Sequence, residues 1–211
     1  MRKMYLSAPL PFVGQKRMLA KEFMKVLEQY PDGTLFVDLF GGSGLLSHIT
    51  KSLKPHSTVI YNDFDNYRFR MKHIPQTNQL LADIREMVGN SVPRHKIIKG
   101  ELRERIFSRI EQEENSTGYV DFITLSSSIL FSMKYKLSVQ DMRKEALYNN
   151  IRKTGYPECT DYLEGLEIVS CDYKEVFNRY KDIPGVVFLV DPPYLSTDVG
   201  TYNMYWNMAD Y

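Results

Sequence analysis

The 211-residue chain is poor in the residues from which metal and redox sites are usually built. It contains two cysteines, Cys159 and Cys171, whose spacing fits neither a metal-binding nor a redox pair and indicates no disulfide framework. The four histidines are scattered along the chain, and none lies in a ligand-like pattern with another. We therefore expect no zinc site and no metal cofactor.

Long apolar runs and a secretion signal are also missing from the sequence. No stretch approaches the roughly 18 consecutive apolar residues of a membrane span. The N-terminal MRKMYLSAPLPFVGQ lacks the sustained apolar core of a signal peptide. We expect a cytoplasmic protein that makes no membrane contact.

A clear excess of one charge sign is absent as well, since 27 Lys and Arg residues oppose 26 Asp and Glu residues. Basic residues nevertheless outnumber acidic ones by six to two over residues 1–30, and again over 134–153. This distribution suits a protein that presents its earlier segments to a polyanion. Solvated helix faces would give the same charge runs.

The first part of the chain has the pattern of an α/β fold. An amphipathic helix is expected over residues 16–30, followed by a short buried strand in TLFVDLF, the glycine turn GGSG and a helix in LLSHITKSL. STVIYND then predicts a second strand. Strand, helix and strand in this order indicate a βαβ unit with a parallel sheet.

The middle of the chain has a different pattern. NQLLADIREMV, ELRERIFSRIEQEE and DMRKEALYNNI indicate helices, and strand patterns return only in GLEIVSCD and GVVFLVD. We expect residues 1–75 and 160–211 to form one α/β domain, with 76–159 as a mainly helical insertion.

The glycine turn in VDLFGGSG is the first candidate for a binding site. Asp38 ends the predicted strand, and Gly41, Gly42 and Gly44 form the turn into the helix. Glycines permit positive φ angles and close approach of the backbone to a ligand. The spacing is not that of a G-x-G-x-x-G motif or a P-loop, and a tight structural turn would explain it equally well.

Asp63 is the second candidate, because it ends the next strand 22 positions after Gly41 (63 − 41). Nucleotide-binding folds place an acid there to accept hydrogen bonds from ribose hydroxyls. An N-cap for the helix that follows is an alternative role, and both can hold at once. Together with the glycine turn, Asp63 indicates a ligand that contains adenosine.

The third candidate is Asp191-Pro192-Pro193-Tyr194, directly after the apolar run VVFLV. The prolines fix φ and prevent the strand from continuing. A rigid corner of this kind holds a carboxylate and a backbone carbonyl at the carboxyl end of the sheet, where they can accept both hydrogens of an exocyclic amine while the tyrosine stacks on its ring. A simple Pro-Pro turn is the alternative.

The order PFVGQKR, FVDLFGGSG, YNDFD, a long insertion and VDPPY resembles the Dam-like (D12 class) N6-adenine-specific DNA methyltransferases. The resemblance covers nearly the whole chain. It implies a class I S-adenosylmethionine-dependent (Rossmann-like) methyltransferase fold whose insertion recognises target DNA. By position it assigns the cofactor to Phe12, Lys16, Asp38, Phe40, Gly42, Gly44, Asp63 and Asp172, and catalysis to Asp191, Pro192, Pro193 and Tyr194.

Three segments depart from the family pattern. Gln15 stands where a second glycine is common, and Ser126-Ser127-Ser128 replaces an Asn-Arg-type run in the insertion. Phosphate contacts to the duplex are expected from six basic residues, namely Lys134, Lys136, Arg143, Lys144, Arg152 and Lys153. Only 17 residues follow Tyr194 (211 − 194), so we expect the C-terminal strands of the family to be missing, in either a fragment or a shortened relative.

The resemblance implies transfer of a methyl group from S-adenosylmethionine to N6 of adenine in double-stranded DNA, with S-adenosylhomocysteine as product. Such a site-specific enzyme acts beside a restriction endonuclease or as a solitary or phage methylase. N4-cytosine or RNA adenine methylation, a nicotinamide-dependent oxidoreductase, and a catalytically impaired relative that only binds cofactor or DNA are the alternatives.

Overall fold

The computed structural model describes residues 3–131 and 134–192. They form two compact units: a sheet unit, built from segments 3–69 and 159–192, and a helical unit, built from the residues of 70–158. The predicted division lay at residues 75 and 160. The assignment of the helical unit to DNA recognition stays a prediction.

The helices and strands of the described residues follow one another in this order: α1 (Ala20–Glu28), β1 (Phe36–Asp38), α2 (Leu45–Leu53), β2 (Val59–Asn62), α3 (Tyr67–Lys72), α4 (Ile74–Val88), β3 (Ile97–Ile98), α5 (Gly100–Thr117), α6 (Phe122–Ile129), α7 (Val139–Arg143), β4 (Leu147–Tyr148), β5 (Glu167–Val169), α8 (Tyr173–Tyr180) and β6 (Val187–Leu189).

The sheet unit contains a four-stranded parallel sheet in the order β5-β2-β1-β6. From β1 the chain moves to β2 and then β5 on one side, and it returns to β6 on the other side of β1. The strand order therefore reverses between β1 and β6, and ligands of open α/β sheets bind outside the carboxyl ends of the strands at such a point. The predicted α/β class with a mainly parallel sheet is confirmed.

Alternation along the strands gives the sheet two apolar faces. Phe36, Val59 and Leu189 pack with Leu27 of α1 and Ile49 of α2 in one cluster. The second cluster, on the other face, contains Val37, Ile60 and Val176 of α8. Because both faces are covered, the strands are mainly apolar, as is usual for parallel strands, and Asp38 and Asn62 stand only at the ends of β1 and β2.

Two predicted helices have different bounds in the structure. The first begins at Ala20 instead of Lys16, because Lys16 lies in the turn region before the helix and its ammonium hydrogen-bonds the Gly14 carbonyl. The predicted helix in DMRKEALYNNI is wrong in its second half. That part forms β4, which pairs antiparallel with β3 in a two-stranded sheet and buries Leu147.

The helical unit is held by buried polar contacts as well as by apolar packing. The Arg70 guanidinium and the Asp121 carboxylate form a buried ion pair with Nε and Oδ2 3.1 Å apart, and both groups also bond the Thr124 hydroxyl. Asp121 is also the N-cap of α6, since it accepts from the Thr124 backbone N–H. Among the described helices, none combines the length and the apolar character that crossing a membrane requires.

Candidate functional site

A cleft opens at the carboxyl ends of β1, β2 and β6 in the sheet unit. It holds about 720 Å³ of empty space, a figure that includes space open to solvent. Seven of the predicted site residues line it: Phe12, Lys16, Asp38, Phe40, Gly42, Asp191 and Pro192. Pro193 and Tyr194 lie outside the described residues.

Asp38 is the buried acid of the cleft, at the last position of β1. Its Oδ2 accepts a hydrogen bond from the Ser47 hydroxyl at 2.6 Å. Its other oxygen, Oδ1, is buried and has no hydrogen-bond partner within the part of the chain that the structure describes. Burial raises the pKa of Asp38 to about 7, the Ser47 hydrogen bond opposes this rise, and the nearby Asp191 carboxylate adds to it. An incompletely satisfied carboxylate in a cleft is suited to a ligand that carries a donor or a positive charge.

The glycine turn brings the backbone close to the side chains around it. A Cβ at Gly41 would lie 2.7 Å from the Asn62 carbonyl oxygen and would collide with the Tyr61 ring, and one at Gly42 would lie 2.9 Å from Phe12 Cε1. Gly42 also has a φ of +49°. The Tyr61 hydroxyl donates to the Gly42 carbonyl at 2.8 Å and so helps to hold the turn in place. Both glycines are therefore required to bring Phe12 and the turn together.

Asp191 follows β6 and lies opposite Lys16. The Lys16 ammonium and Asp191 Oδ1 are 2.9 Å apart, and the two side chains are 17% and 23% exposed. Burial raises the pKa of Asp191, while the hydrogen bond and charge of Lys16 act in the opposite direction. Because β1 and β6 are neighbours in register, Asp38 and Asp191 reach the same end of the sheet. The Pro192 ring lines the cleft beside them.

Asp63 and Asp172 have structural roles as helix caps. Asp63 is buried, and it accepts from the Tyr67 and Arg68 backbone N–H groups, at 2.6 and 3.1 Å. Its Oδ1 also lies 3.0 Å from the Tyr61 hydroxyl, whose single proton it shares with the Gly42 carbonyl. Burial raises the pKa of Asp63, and these hydrogen bonds lower it. Asp172 accepts from the Lys174 backbone N–H at 2.8 Å as the N-cap of α8. Neither residue is part of the described cleft lining, so their contact with the cofactor stays a prediction.

Gly44 has a role in the turn and is also absent from the described lining. Its φ of +71° is in the left-handed region, and it precedes α2 as the N-cap. A Cβ at this position would lie 2.9 Å from Leu163 Cδ2. A glycine is therefore needed here for the backbone path that carries the chain from the cleft into α2.

Sequence reasoning missed three cleft residues at and after the end of β2. Asn62, the last residue of β2, donates from its amide to the Leu39 and Cys171 carbonyls, both at 2.9 Å, and so ties three strand ends together. Phe64 and Asp65 line the cleft directly after Asp63. YNDFD carried the signal for them, since residues that follow a parallel strand lie at the edge of the sheet where ligands bind. Only Asp63 of this segment was predicted as a site residue.

The cleft combines apolar rings with an excess of negative charge. Three carboxylates, those of Asp38, Asp65 and Asp191, line it with the single cation Lys16. Phe12, Phe40 and Phe64 supply aromatic surface, and Val13, Leu45 and Leu46 supply aliphatic surface. Such a site suits a ligand with an aromatic ring and a cationic centre. Among the described residues, no group of three or more His, Cys, Asp or Glu is placed to hold a metal ion.

In the helical unit, four of the six predicted DNA-contacting residues form ion pairs with acids. Lys134 and Lys136 both pair with Glu145, and the second distance is 3.1 Å. The other pairs involve Arg143, which binds Glu104 and Glu111 at 2.7 and 2.9 Å, and Lys144, which binds Asp141 at 2.7 Å.

The remaining two predicted DNA contacts are exposed and differently arranged. The Arg152 guanidinium lies 4.3 Å from the centre of the Tyr156 ring. For Lys153, no ion pair is found among the described residues. The role of all six residues in DNA binding stays a prediction.

Two comparisons relate this chain to known proteins. The family model of the D12 class N6 adenine-specific DNA methyltransferases matches residues 12–211. A Haemophilus influenzae protein, whose name assigns it provisionally as a methyltransferase, is 38% identical over 216 residues; the alignment covers 100% of this chain and 72% of that protein.

Proposed function

Because this chain belongs to the D12 class N6 adenine-specific DNA methyltransferase family, we propose that it transfers a methyl group from S-adenosylmethionine to N6 of adenine in double-stranded DNA of the cytoplasm. The observation that carries this proposal is the meeting of Asp38, the glycine turn and Asp191 in one cleft. A nicotinamide-dependent oxidoreductase would leave the Asp-Pro-Pro-Tyr corner without a role.

The residues of the cleft fit S-adenosylmethionine in two respects. The buried Oδ1 of Asp38 lacks a partner among the described residues, and a ligand ammonium or sulfonium would supply the missing charge. Gly42 has no side chain, and this lets the Phe12 ring pack against the turn at the cleft. Phe12, Phe40 and Phe64 offer rings for the adenine and the methionine chain.

S-adenosylmethionine, when bound, supplies a methyl group on a positively charged sulfur. In the proposed mechanism the Asp191 carboxylate and the Pro192 carbonyl accept the two hydrogens of the adenine amine. These bonds would turn the nitrogen lone pair away from the ring and toward the methyl carbon. As the nitrogen–carbon bond forms, the carbon–sulfur bond would break to release S-adenosylhomocysteine, and the proton that the amine loses would pass to the Asp191 carboxylate. Tyr194 stacks on the base after it has left the duplex stack. The gain in rate comes from orientation and from fixed acceptors at the amine.

The Lys16–Asp191 ion pair gives this mechanism a defined starting point. Lys16 neutralises the Asp191 carboxylate at 2.9 Å, so the target amine has to take over the hydrogen bond that the ammonium makes. Lys16 also lies in the segment that the family resemblance assigns to the methionine end of the cofactor. An ammonium released from Asp191 therefore has a carboxylate of the cofactor available as its next partner.

The proposal is tested with the Asp191→Ala variant, which removes the amine acceptor without touching the glycine turn. Methyl transfer from radiolabelled S-adenosylmethionine to adenine-containing duplex DNA should fall by at least about 100-fold, which is the order of effect of one fixed catalytic group. S-adenosylhomocysteine binding, measured by calorimetry, should remain close to that of the parent, while NAD should not bind.

The matched control is Asp182→Ala. It removes an exposed carboxylate of the sheet unit that is not part of the described cleft lining, so transfer should continue. If the Asp191→Ala variant methylates DNA at the parent rate, the assignment of catalytic roles is wrong. A parent that binds cofactor and DNA but incorporates no methyl group would support the impaired relative instead.

A further inference from the structure

Two groups of basic residues in the helical unit differ in how their charges are balanced. The first group, here called the paired stretch, consists of Lys134, Lys136, Arg143 and Lys144. Each of these cations contacts a carboxylate, and the acids that they contact are Glu104, Glu111, Asp141 and Glu145. Arg103 also pairs with Glu104, at 2.7 Å, so five cations face four carboxylates at this place and all but one of the positive charges are balanced by the protein.

The second group, here called the basic face, consists of Arg85, Arg94, Lys96, Arg152 and Lys153. Over residues 87–99 and 146–157 the sequence contains no acidic residue at all, and the first acid next to Arg85 is Glu86. Among the described residues, no ion pair to an Asp or Glu is formed by any member of the basic face. The positive charge at this place is therefore not neutralised by the protein itself.

Backbone contacts bring the members of the basic face together. The β3–β4 pairing continues into hydrogen bonds between the segments around Lys96 and Asn149, with Asn149 N donating to the Lys96 carbonyl at 2.9 Å. Arg94 Nη1 donates to the Ile151 carbonyl. Arg85 Nε, from the end of α4, donates to the Arg152 carbonyl at 2.8 Å. Three chain segments that lie far apart in sequence therefore present their cations around residues 149–153.

The arginines of the basic face are held in position without loss of charge. Arg85 and Arg94 each use a guanidinium N–H on a carbonyl oxygen, and Arg152 rests against the Tyr156 ring. A guanidinium has five N–H donors, so most of them stay available for an anion. Lys96 and Lys153 are exposed beside them. Fixed guanidinium groups bind phosphate oxygens at a smaller entropic cost than mobile side chains.

We propose that the basic face is the surface on which this protein holds the phosphate backbone of duplex DNA, and that the paired stretch contributes little to this contact. The proposal rests on the proposed function, which makes duplex DNA the substrate. Charge complementarity selects the occupant: a duplex carries one negative charge per about 1.7 Å of its axis. Such contacts position the protein on DNA and do not read its sequence.

The test compares two triple variants that each remove three positive charges. Lys96→Gln/Arg152→Gln/Lys153→Gln alters the basic face, and Lys134→Gln/Lys136→Gln/Lys144→Gln alters the paired stretch. Binding of a fluorescent DNA duplex is followed by anisotropy at several salt concentrations. Since each lost phosphate contact lowers the slope of log affinity against log salt by about 0.9, the basic-face variant should lose about 2–3 from its slope and bind roughly 100-fold more weakly at about 0.1 M salt. The paired-stretch variant should lose less than about 1.

Two further variants separate loss of charge from loss of packing as the cause of a weaker affinity for DNA. The double variant Lys96→Gln/Lys153→Gln leaves the Arg152–Tyr156 contact in place, so its lower slope cannot come from lost packing. Arg152→Lys keeps the charge and should retain most of the parent slope. The proposal is overturned if the paired-stretch variant loses as much slope as the basic-face variant, or if the basic-face variant binds DNA as the parent does. It is also overturned if binding of an RNA duplex, and not of DNA, depends on the basic face.

The outcome can be told apart from that of the proposed function. If the basic-face variant transfers methyl groups at saturating DNA and has the salt slope of the parent, the proposed DNA-binding role of the basic face is wrong and the proposed methyltransferase activity stands. If the parent transfers no methyl group but its salt slope still depends on the basic face, the proposed methyltransferase activity is wrong and the proposed DNA-binding role of the basic face stands.

Discussion

Asp38 offers the sharpest quantitative test of how the cleft is built, through the substitution Asp38→Asn. The side chain is buried, with one oxygen on the Ser47 hydroxyl and the other without a partner among the described residues. Asn has nearly the same shape as a protonated aspartic acid and carries no charge. The variant therefore removes the titration of this group while it keeps the packing and the hydrogen bond to Ser47.

The magnitude follows from the pKa of Asp38, which burial raises from 3.8 to about 7 in the folded protein. Between these two pH values the folded state holds a proton that the unfolded state has lost, so the free energy of unfolding falls as the pH rises, by about 1.4 kcal/mol per pH unit. The total over the window is about 4 kcal/mol. Below pH 4 the side chain is neutral in both states, and above pH 7 it is charged in both, so the loss stops at each end.

The free energy of unfolding is measured by urea titration of the parent and of Asp38→Asn at several pH values from 5 to 8. Acids that do not interact with Asp38 titrate equally in both proteins, so the difference between them isolates Asp38 together with its coupling to Asp191. The variant should gain about 3 kcal/mol over the parent between pH 5 and pH 8. A difference that stays constant over this range would show that Asp38 is charged in the folded protein throughout, and it would refute the account in which burial raises the pKa of this carboxyl.

Two further predictions concern the glycine turn and the acids after β2. Gly41→Ala should destabilise the sheet unit by about 2–4 kcal/mol, because the new Cβ meets a side-chain ring and a carbonyl. The control Gly185→Ala, with nothing within 4 Å of its Cβ and a φ of +75°, should cost only about 1 kcal/mol. Equal losses of stability in thermal unfolding of the two variants would contradict the close approach of Gly41 to its neighbours. Asp65→Asn should weaken S-adenosylhomocysteine binding by roughly 10-fold without lowering stability, as expected for one hydrogen bond to a charged group. Asp63→Asn should instead lower the free energy of unfolding by about 1–2 kcal/mol through loss of a helix cap. Calorimetry and urea titration on both variants show which acid contributes to ligand binding and which to stability.

The sheet unit could be predicted well because its signals are local. The helix of LLSHITKSL runs over Leu45–Leu53, between a glycine at its start and Pro55 after its end. The strands are shorter than their apolar runs, since β6 covers Val187–Leu189 within GVVFLVD. The hydrophobic pattern predicts which residues are buried, but the end of a strand depends on where its backbone hydrogen bonds to the neighbouring strand stop. These bonds depend on neighbours that the pattern does not contain.

The two-stranded sheet of the helical unit could not be predicted from local pattern. Ile97–Ile98 is too short to stand out, and its partner Leu147–Tyr148 lies about fifty residues further along the chain in a segment with helix-forming residues. The burial of Ile98 and Leu147 on pairing overrides that local preference. The ion pairs of Arg143 escaped prediction for the same reason, because this residue meets acids from α5 that lie more than thirty residues away.

The two acids of YNDFD show where reasoning from position alone ends. Asp63 stands where nucleotide folds place a ribose acceptor, yet its oxygens already accept from two backbone N–H groups and a tyrosine hydroxyl. A carboxylate has about four acceptor sites, so few remain for further donors on Asp63, and its burial restricts access to them. Asp65 lies in the cleft lining, two positions further on. We therefore propose Asp65 as the acceptor of a ribose hydroxyl, with Asp63 as the cap of the helix that follows.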